Sequence, residues 1–141
     1  GLKLDRIRGY GLLLFPLGYQ DLEAPFGAAL PLQAGDARVV LRSGTSTKDS
    51  CSFQLAVTAA PGAALLRLPP SEVFVVDDQG GRHATLRRGQ STSFSGTVWA
   101  MHQSYEAALP EGRKAVAVRL RLSKDVLERR IDFDFGGLPA P

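Results

Sequence analysis

Nowhere in this chain do apolar residues recur at the 3.6-residue spacing of an amphipathic helix; what recurs is alternation with a period of two. Lys114 to Leu122 sets Val116, Val118, Leu120 and Leu122 on one face against Ala117, Arg119 and Arg121 on the other. Arg130 to Phe135 sets Ile131, Phe133 and Phe135 against Arg130, Asp132 and Asp134. Ser52 to Thr58 repeats the pattern with Phe53, Leu55 and Val57, and Asp36 to Arg42 puts Val39 and Leu41 on one face. Half-buried strands must cover their apolar faces with a second layer. The spacing therefore predicts an all-β fold, an antiparallel β-sandwich of about eight or nine strands with little helix.

The turn that organises this pattern is Pro69 to His83, PPSEVFVVDDQGGRH. Glu72 to Val76 reads as a strand, Asp77 to Gly81 as a tight turn, and Arg82 restarts the chain. Asp at a turn entry bonds its own backbone, and Gly accepts the positive φ that hairpin turns demand. Elsewhere the reading is coarser. Leu2 to Arg8 is expected as a first strand and Gly9 to Pro16 as a buried one. Leu17 to Gly35, with Pro25 and Pro31, is expected as an irregular excursion. Ser43 to Ser50 reads as a long polar hairpin tip, and Leu65 to Leu68 as the lead into the central hairpin. Ser91 to Met101 is β-like, with Gly96 as a bulge and Phe94 or Trp99 as the core anchor. Ser123 to Arg129 is expected to form one helical turn.

A chain of 141 residues fits a single domain, here 1–141, and can bury a core without metal or disulfide staples. The formal charge of +3 comes from 17 basic residues, mostly Arg, against 14 dispersed acids, a balance that argues against nucleic acid as the partner. The longest apolar run, Leu12 to Leu17, is too short to span a bilayer. Cys51, the single cysteine, excludes an internal disulfide and suits a small buried residue on a strand. The chain begins at Gly1, which leaves room for a signal or lipid anchor upstream.

Phe53 to Thr58, then LPPSEVFVVDDQGG, LPEGRKAVAVRLRLSKD and IDFDF, occur in an order that resembles the telokin-like, immunoglobulin-like domains of bacterial secreted proteins and lipoproteins. The resemblance covers the C-terminal two-thirds; residues 1–35 and the Arg-rich stretch from Arg82 to Pro110 depart from it. It implies an immunoglobulin-like sandwich in a secreted, periplasmic or envelope-associated protein. It also implies a partner that is another envelope protein, and no shared catalytic residues.

No motif points to chemistry. His83 and His102 with the many Ser and Asp allow a hydrolytic triad to be drawn, but no GxSxG elbow occurs. We expect no catalytic residue, no cofactor and no metal. Asp77, Asp78, Asp132 and Asp134 would suit a hard cation only if they converged, and the expected arrangement is a cross-strand ladder with Arg119 and Arg121. Two surfaces remain for binding. One is apolar: Leu12 to Phe26, with Phe15, Tyr19 and Phe26, either meets a partner or, as the simpler expectation, folds onto the core. The other is basic: Arg82, Arg87 and Arg88, with Arg129 and Arg130, could hold a small ligand or polyanion. A non-catalytic interaction module is the leading expectation, and the alternative is a small-ligand or polyanion binding protein that uses the Arg-rich stretch from Arg82 to Arg88 and the segment from Leu17 to Gly35.

Overall fold

The computed structural model describes residues 6–27, 29, 31–61, 63 and 70–136. Within them nine strands run in chain order, with no helix: β1 Arg6–Pro25, β2 Pro31–Ala34, β3 Ala37–Ser46, β4 Ser50–Ala59, β5 Glu72–Asp77, β6 Arg82–Ala84, β7 Leu86–Ser95, β8 Val98–Ala108 and β9 Ala115–Gly136. They form two antiparallel sheets, ordered β1-β9-β5-β6 and β2-β3-β4-β8-β7, which pack into a β-sandwich. The expected lead-in Leu65 to Leu68 and the start of the expected first strand lie outside the described residues.

The core follows the alternation. From the second sheet, Val39, Leu41, Phe53, Leu55, Val57 and Met101 point inward; from the first, Ala24, Val75, Val118, Leu120 and Leu122 meet them. The aromatic centre is Phe53, stacked on Tyr105 with ring centroids 5.4 Å apart and met edge-on by Phe26 at 6.4 Å. Gln103 is buried beside it without penalty. It accepts the Tyr105 hydroxyl at 2.8 Å and donates to Gln90 at 3.1 Å, so its amide keeps partners out of water. Phe94 and Trp99 are not core anchors: they pack on each other at the β7–β8 turn, with Phe94 exposed. Gly96, with φ of 62°, makes that turn and is not a bulge.

Val116 also departs from expectation. Val76 pairs with Ala117 and Asp77 with Ala115, so Val116 is the extra residue of a β-bulge and turns outward. Ala117 and Val118 are consequently both buried.

The largest correction concerns the two outer strands of the expected pattern. Leu17 to Gly35 is not an irregular excursion, and Ser123 to Arg129 is not a helical turn. β1 runs unbroken through Pro25 and pairs with β9 from Arg6 against Gly136 to Pro25 against Ala117, with no change of register. Continuous ladder bonding overrides the weak local preference for a turn at Ser123 to Arg129. The Ser43 to Ser50 tip is also shorter than read, since β3 continues to Ser46 past a register shift after Ser43. Leu55→Ala, at a fully buried site, should lower stability by about 2–5 kcal/mol in urea denaturation. Phe133→Ala, on an exposed part of β9, should cost less than about 1 kcal/mol.

Candidate interaction surface

The β1–β9 ribbon belongs to the sandwich at one end only. Near the base, Ala24, Leu120 and Leu122 enter the core. No described residue of β1 before Gln20 or of β9 after Ser123 is buried. At ~3.4 Å per residue, some fourteen rungs make a two-stranded extension roughly 40–45 Å long.

Paired residues share a face. One face of the extension carries Leu13, Phe15, Leu17, Leu127, Ile131 and Phe133. The other carries Tyr10, Leu12 and Leu14 opposite Asp132, Arg130 and Glu128. Tyr10, Leu12 and Ile131 each expose half or more of their surface, and Leu13, Phe15, Leu17 and Phe133 more than two-fifths. The Phe133 ring lies over Gly9, where a Cβ would come within 2.5 Å of it, so a side chain there would displace the ring.

The sequence-singled residues divide. Phe15 and Tyr19 are on the exposed ribbon, at 44% and 50% exposure, against the expectation that they fold onto the core. Continuous pairing with β9 carries them past the sandwich edge, where no second sheet covers them. Phe26 does fold inward, half-buried against Phe53. Tyr10 falls outside the candidate stretch because Gly9 to Pro16 reads as buried, while Leu12, Leu13 and Leu17 fall inside the Leu12 to Phe26 patch whose simpler reading is a loop folded onto the core. Sequence reasoning missed the outward placement of Ile131 and Phe133 because alternation defines two faces without saying which is covered. The available signal was the lack of any charge from Gly9 to Gln20.

The basic surface disperses. Arg82 sits on β6 and stacks over Phe74, 4.9 Å from its ring centroid. Arg87 and Arg88 lie on β7 in the other sheet, where Arg87 donates to Gln90 at 3.1 Å and Arg88 pairs with Glu106 at 2.8 Å. Arg129 and Arg130 are on the ribbon, and Arg130 pairs with Asp132 while lying over Tyr10. A groove of about 330 Å³ on the outer face of the first sheet holds Arg82, Arg119 and Arg121, but Asp21, Glu23 and Glu72 line it too. Arg121 meets Asp21 at 2.9 Å and Arg119 meets Glu23. The arginine hydrogen bond holds the Asp21 carboxyl below its ordinary range, and the same contact raises Arg121.

The expected ladder of Asp132 and Asp134 with Arg119 and Arg121 does not form, because all four are on one strand. Asp134 faces Arg8 at 3.6 Å, and Asp132 is taken by Arg130. Asp78 accepts the Lys114 amide at 3.2 Å. Among the described residues no group of three or more His, Cys, Asp or Glu is placed to hold a metal ion. Nor does any described helix have the length and apolarity to cross a membrane.

Among the described residues Asp77 is the one buried carboxylate. Its Oδ1 accepts the Gln79 and Gly81 amides at 2.9 and 2.8 Å, and its Oδ2 meets His83 Nε2 at 2.7 Å and Arg113 at 3.3 Å. A side chain on Gly81 would strike this carboxylate at 2.5 Å. The His83 hydrogen bond, then the two turn amides and Arg113, overcome desolvation and hold Asp77 down at about 2. Asp77 and His83 thus share a contact familiar from hydrolytic triads, while the same carboxylate closes the β5–β6 turn. Cys51 is buried on β4, and burial pushes its thiol up, away from a reactive thiolate. His102, on β8, is half-buried.

No protein-family model, curated protein or solved structure matches the chain.

A folded pKa below the ordinary 3.8 means that Asp77 stabilises the fold fully above that value. The contribution is lost as pH falls through about 2. Asp77→Asn should therefore lower the melting temperature at neutral pH. It should also flatten the fall in melting temperature between pH 4 and pH 2, measured by circular dichroism.

Proposed function

We propose that this chain is a non-catalytic interaction module whose contact surface is the extended part of the β1–β9 ribbon. The observation that carries the reading is the ribbon's row of exposed large apolar side chains, from Tyr10 to Tyr19 on β1 and from Leu127 to Phe133 on β9. A two-stranded ribbon standing alone in water is marginal, and a long apolar edge invites association. Apolar surface of this extent, rimmed by charge, is characteristic of binding faces. The kinship to telokin-like, immunoglobulin-like domains, and with it a secreted or envelope-associated setting, belongs to the same proposal and rests on the motifs from Phe53 to Phe135.

Polyanion binding is the weaker reading on physical grounds. Arg8, Arg88, Arg119, Arg121 and Arg130 each face a carboxylate, so their charge is largely compensated before any phosphate arrives. The two readings separate in one experiment. Immobilised protein should retain a partner from a bacterial envelope extract and lose most of it in the Leu13→Lys/Phe15→Lys variant, while heparin binding stays weak at physiological salt. Capture unchanged by that variant, or heparin binding with a steep salt dependence, would overturn the ribbon reading.

A further inference from the structure

We propose that the outer edge of β1 pairs with the same edge of a second copy of this chain over Gly9 to Phe15, giving a four-stranded sheet with the two β1 strands at its centre. This rests on the ribbon being the interaction surface and names its partner.

The two strands of the extension are unlike. β1 carries no charge from Gly9 to Gln20 and presents apolar side chains on both faces, Leu12 and Leu14 on one and Leu13 and Phe15 on the other. That is the pattern of a strand in the interior of a sheet. Yet β1 ends its sheet, and among the described residues no strand pairs with its outer edge. β9 reads the opposite way. Beyond Ser123 it places Glu128, Arg129, Arg130, Asp132 and Asp134 along its length, the charged decoration that keeps an exposed edge from pairing. Joining two β1 edges puts each strand where its sequence belongs, uncharged in the middle and charged outside.

The segment is bounded. Pro16 offers no N–H to a neighbour, and Gly18 has φ of 65°, outside the extended range, so a regular ladder ends at Phe15. Within Gly9 to Phe15 the sequence complements itself. Antiparallel pairing about a two-fold axis at Leu12 sets Gly9 against Phe15, Gly11 against Leu13 and Tyr10 against Leu14. Gly9 is already covered by Phe133 of its own ribbon, while Gly11 then meets Leu13 of the other copy. Gly11 has room for it, since nothing lies within 4 Å of where its Cβ would be. Covering an edge glycine with a neighbouring large side chain is a known means of fixing register.

The charges favour a copy over other occupants. Both signs are mixed along β9, and Arg8 with Asp134 and Arg130 with Asp132 are closed within the ribbon. Such a surface has no net field to draw an anionic lipid or a nucleic acid. An edge joined over so short a segment buries less than a standard interface, so association is expected in the micromolar range.

The test is sedimentation of the full chain from low micromolar to several hundred micromolar. Wild type should pass from monomer to dimer, and Leu12→Lys should weaken the dimer at least about tenfold, because it sets like charges face to face at the axis. Leu12 is half exposed in the single chain, so this variant should stay folded, and the melting curve measures the small loss expected from facing Arg130 across the ladder. Leu12→Cys should oxidise to a covalent dimer well before Leu17→Cys does, with buried Cys51 left in place. Wild type that stays monomeric throughout would overturn the second copy, and ribbon-dependent capture of an envelope protein would then leave the broader reading standing. A dimer indifferent to Leu12→Lys, or equal oxidation at both positions, would overturn this edge and register. Monomer that instead binds phosphatidylglycerol vesicles would overturn both readings.

Discussion

The register between β1 and β9 governs the shape of this molecule. From Arg6 against Gly136 to Pro25 against Ala117 it never shifts, so two strands of about twenty residues travel together as one paired unit, interrupted where Gly18 leaves the extended range. Their inner end is held by β5 on one side and by the second sheet beneath. The outer part outruns both. A bulge between them would have bent the ribbon back over the sandwich, and the ladder contains none. The bulge the first sheet does contain, at Val116 between β5 and β9, falls at the opposite end of β9 and leaves the extension untouched.

The sandwich itself depends on ordinary packing. Phe53 is the meeting point, touching Tyr105 within its sheet and Phe26 from the chain leaving β1. The buried polar groups are accommodated individually: Gln103 bridges Tyr105 and Gln90, and Asp77 is surrounded by donors. Both arrangements avoid the cost of an unpaired polar atom in a dry interior. The Asp77 cluster also ties β5, β6 and the Arg113 loop together, so the shortest strand of the first sheet is anchored by side-chain bonds as well as by its few ladder rungs.

Period-two alternation made the class of fold and the inward faces of β3 and β4 legible, and the turn chemistry of Asp77 to Gly81 located the β5–β6 hairpin. These signals are local, and the structure buries Phe53, Leu55 and Val57 as the alternation requires, with Ala56 of the opposite face buried as well. What was not legible depended on distant partners. Ile131 and Phe133 alternate as cleanly as Leu120 and Leu122, but the former have only β1 beside them and the latter have a core. Burial is a property of what lies opposite, and alternation cannot report it. Leu17 to Pro25 was obscured for a related reason: prolines at 16 and 25 and glycine at 18 suggest a break, whereas Pro16 and Pro25 lie on an edge strand, which tolerates them. Of the interaction surface, Phe15 and Tyr19 were visible as candidates because aromatic residues outside a clear core pattern draw notice. Their aliphatic neighbours were absorbed into an imagined core.

The pairing of Arg6 with Gly136 has a mechanical meaning. The outer ends of β1 and β9 lie side by side, so tension that draws those two residues apart acts across the ribbon and not along it. The rungs then carry the load singly, each opening before the next is strained, and the force needed stays low and nearly constant over the whole extension. The sandwich is not loaded until the opening reaches Gln20 and Leu122, where Leu122 enters the core. From there, side chains shared by two sheets must part together. The ribbon is thus a compliant lead in series with a stiff body, and the change from one to the other occurs within a single rung of the ladder.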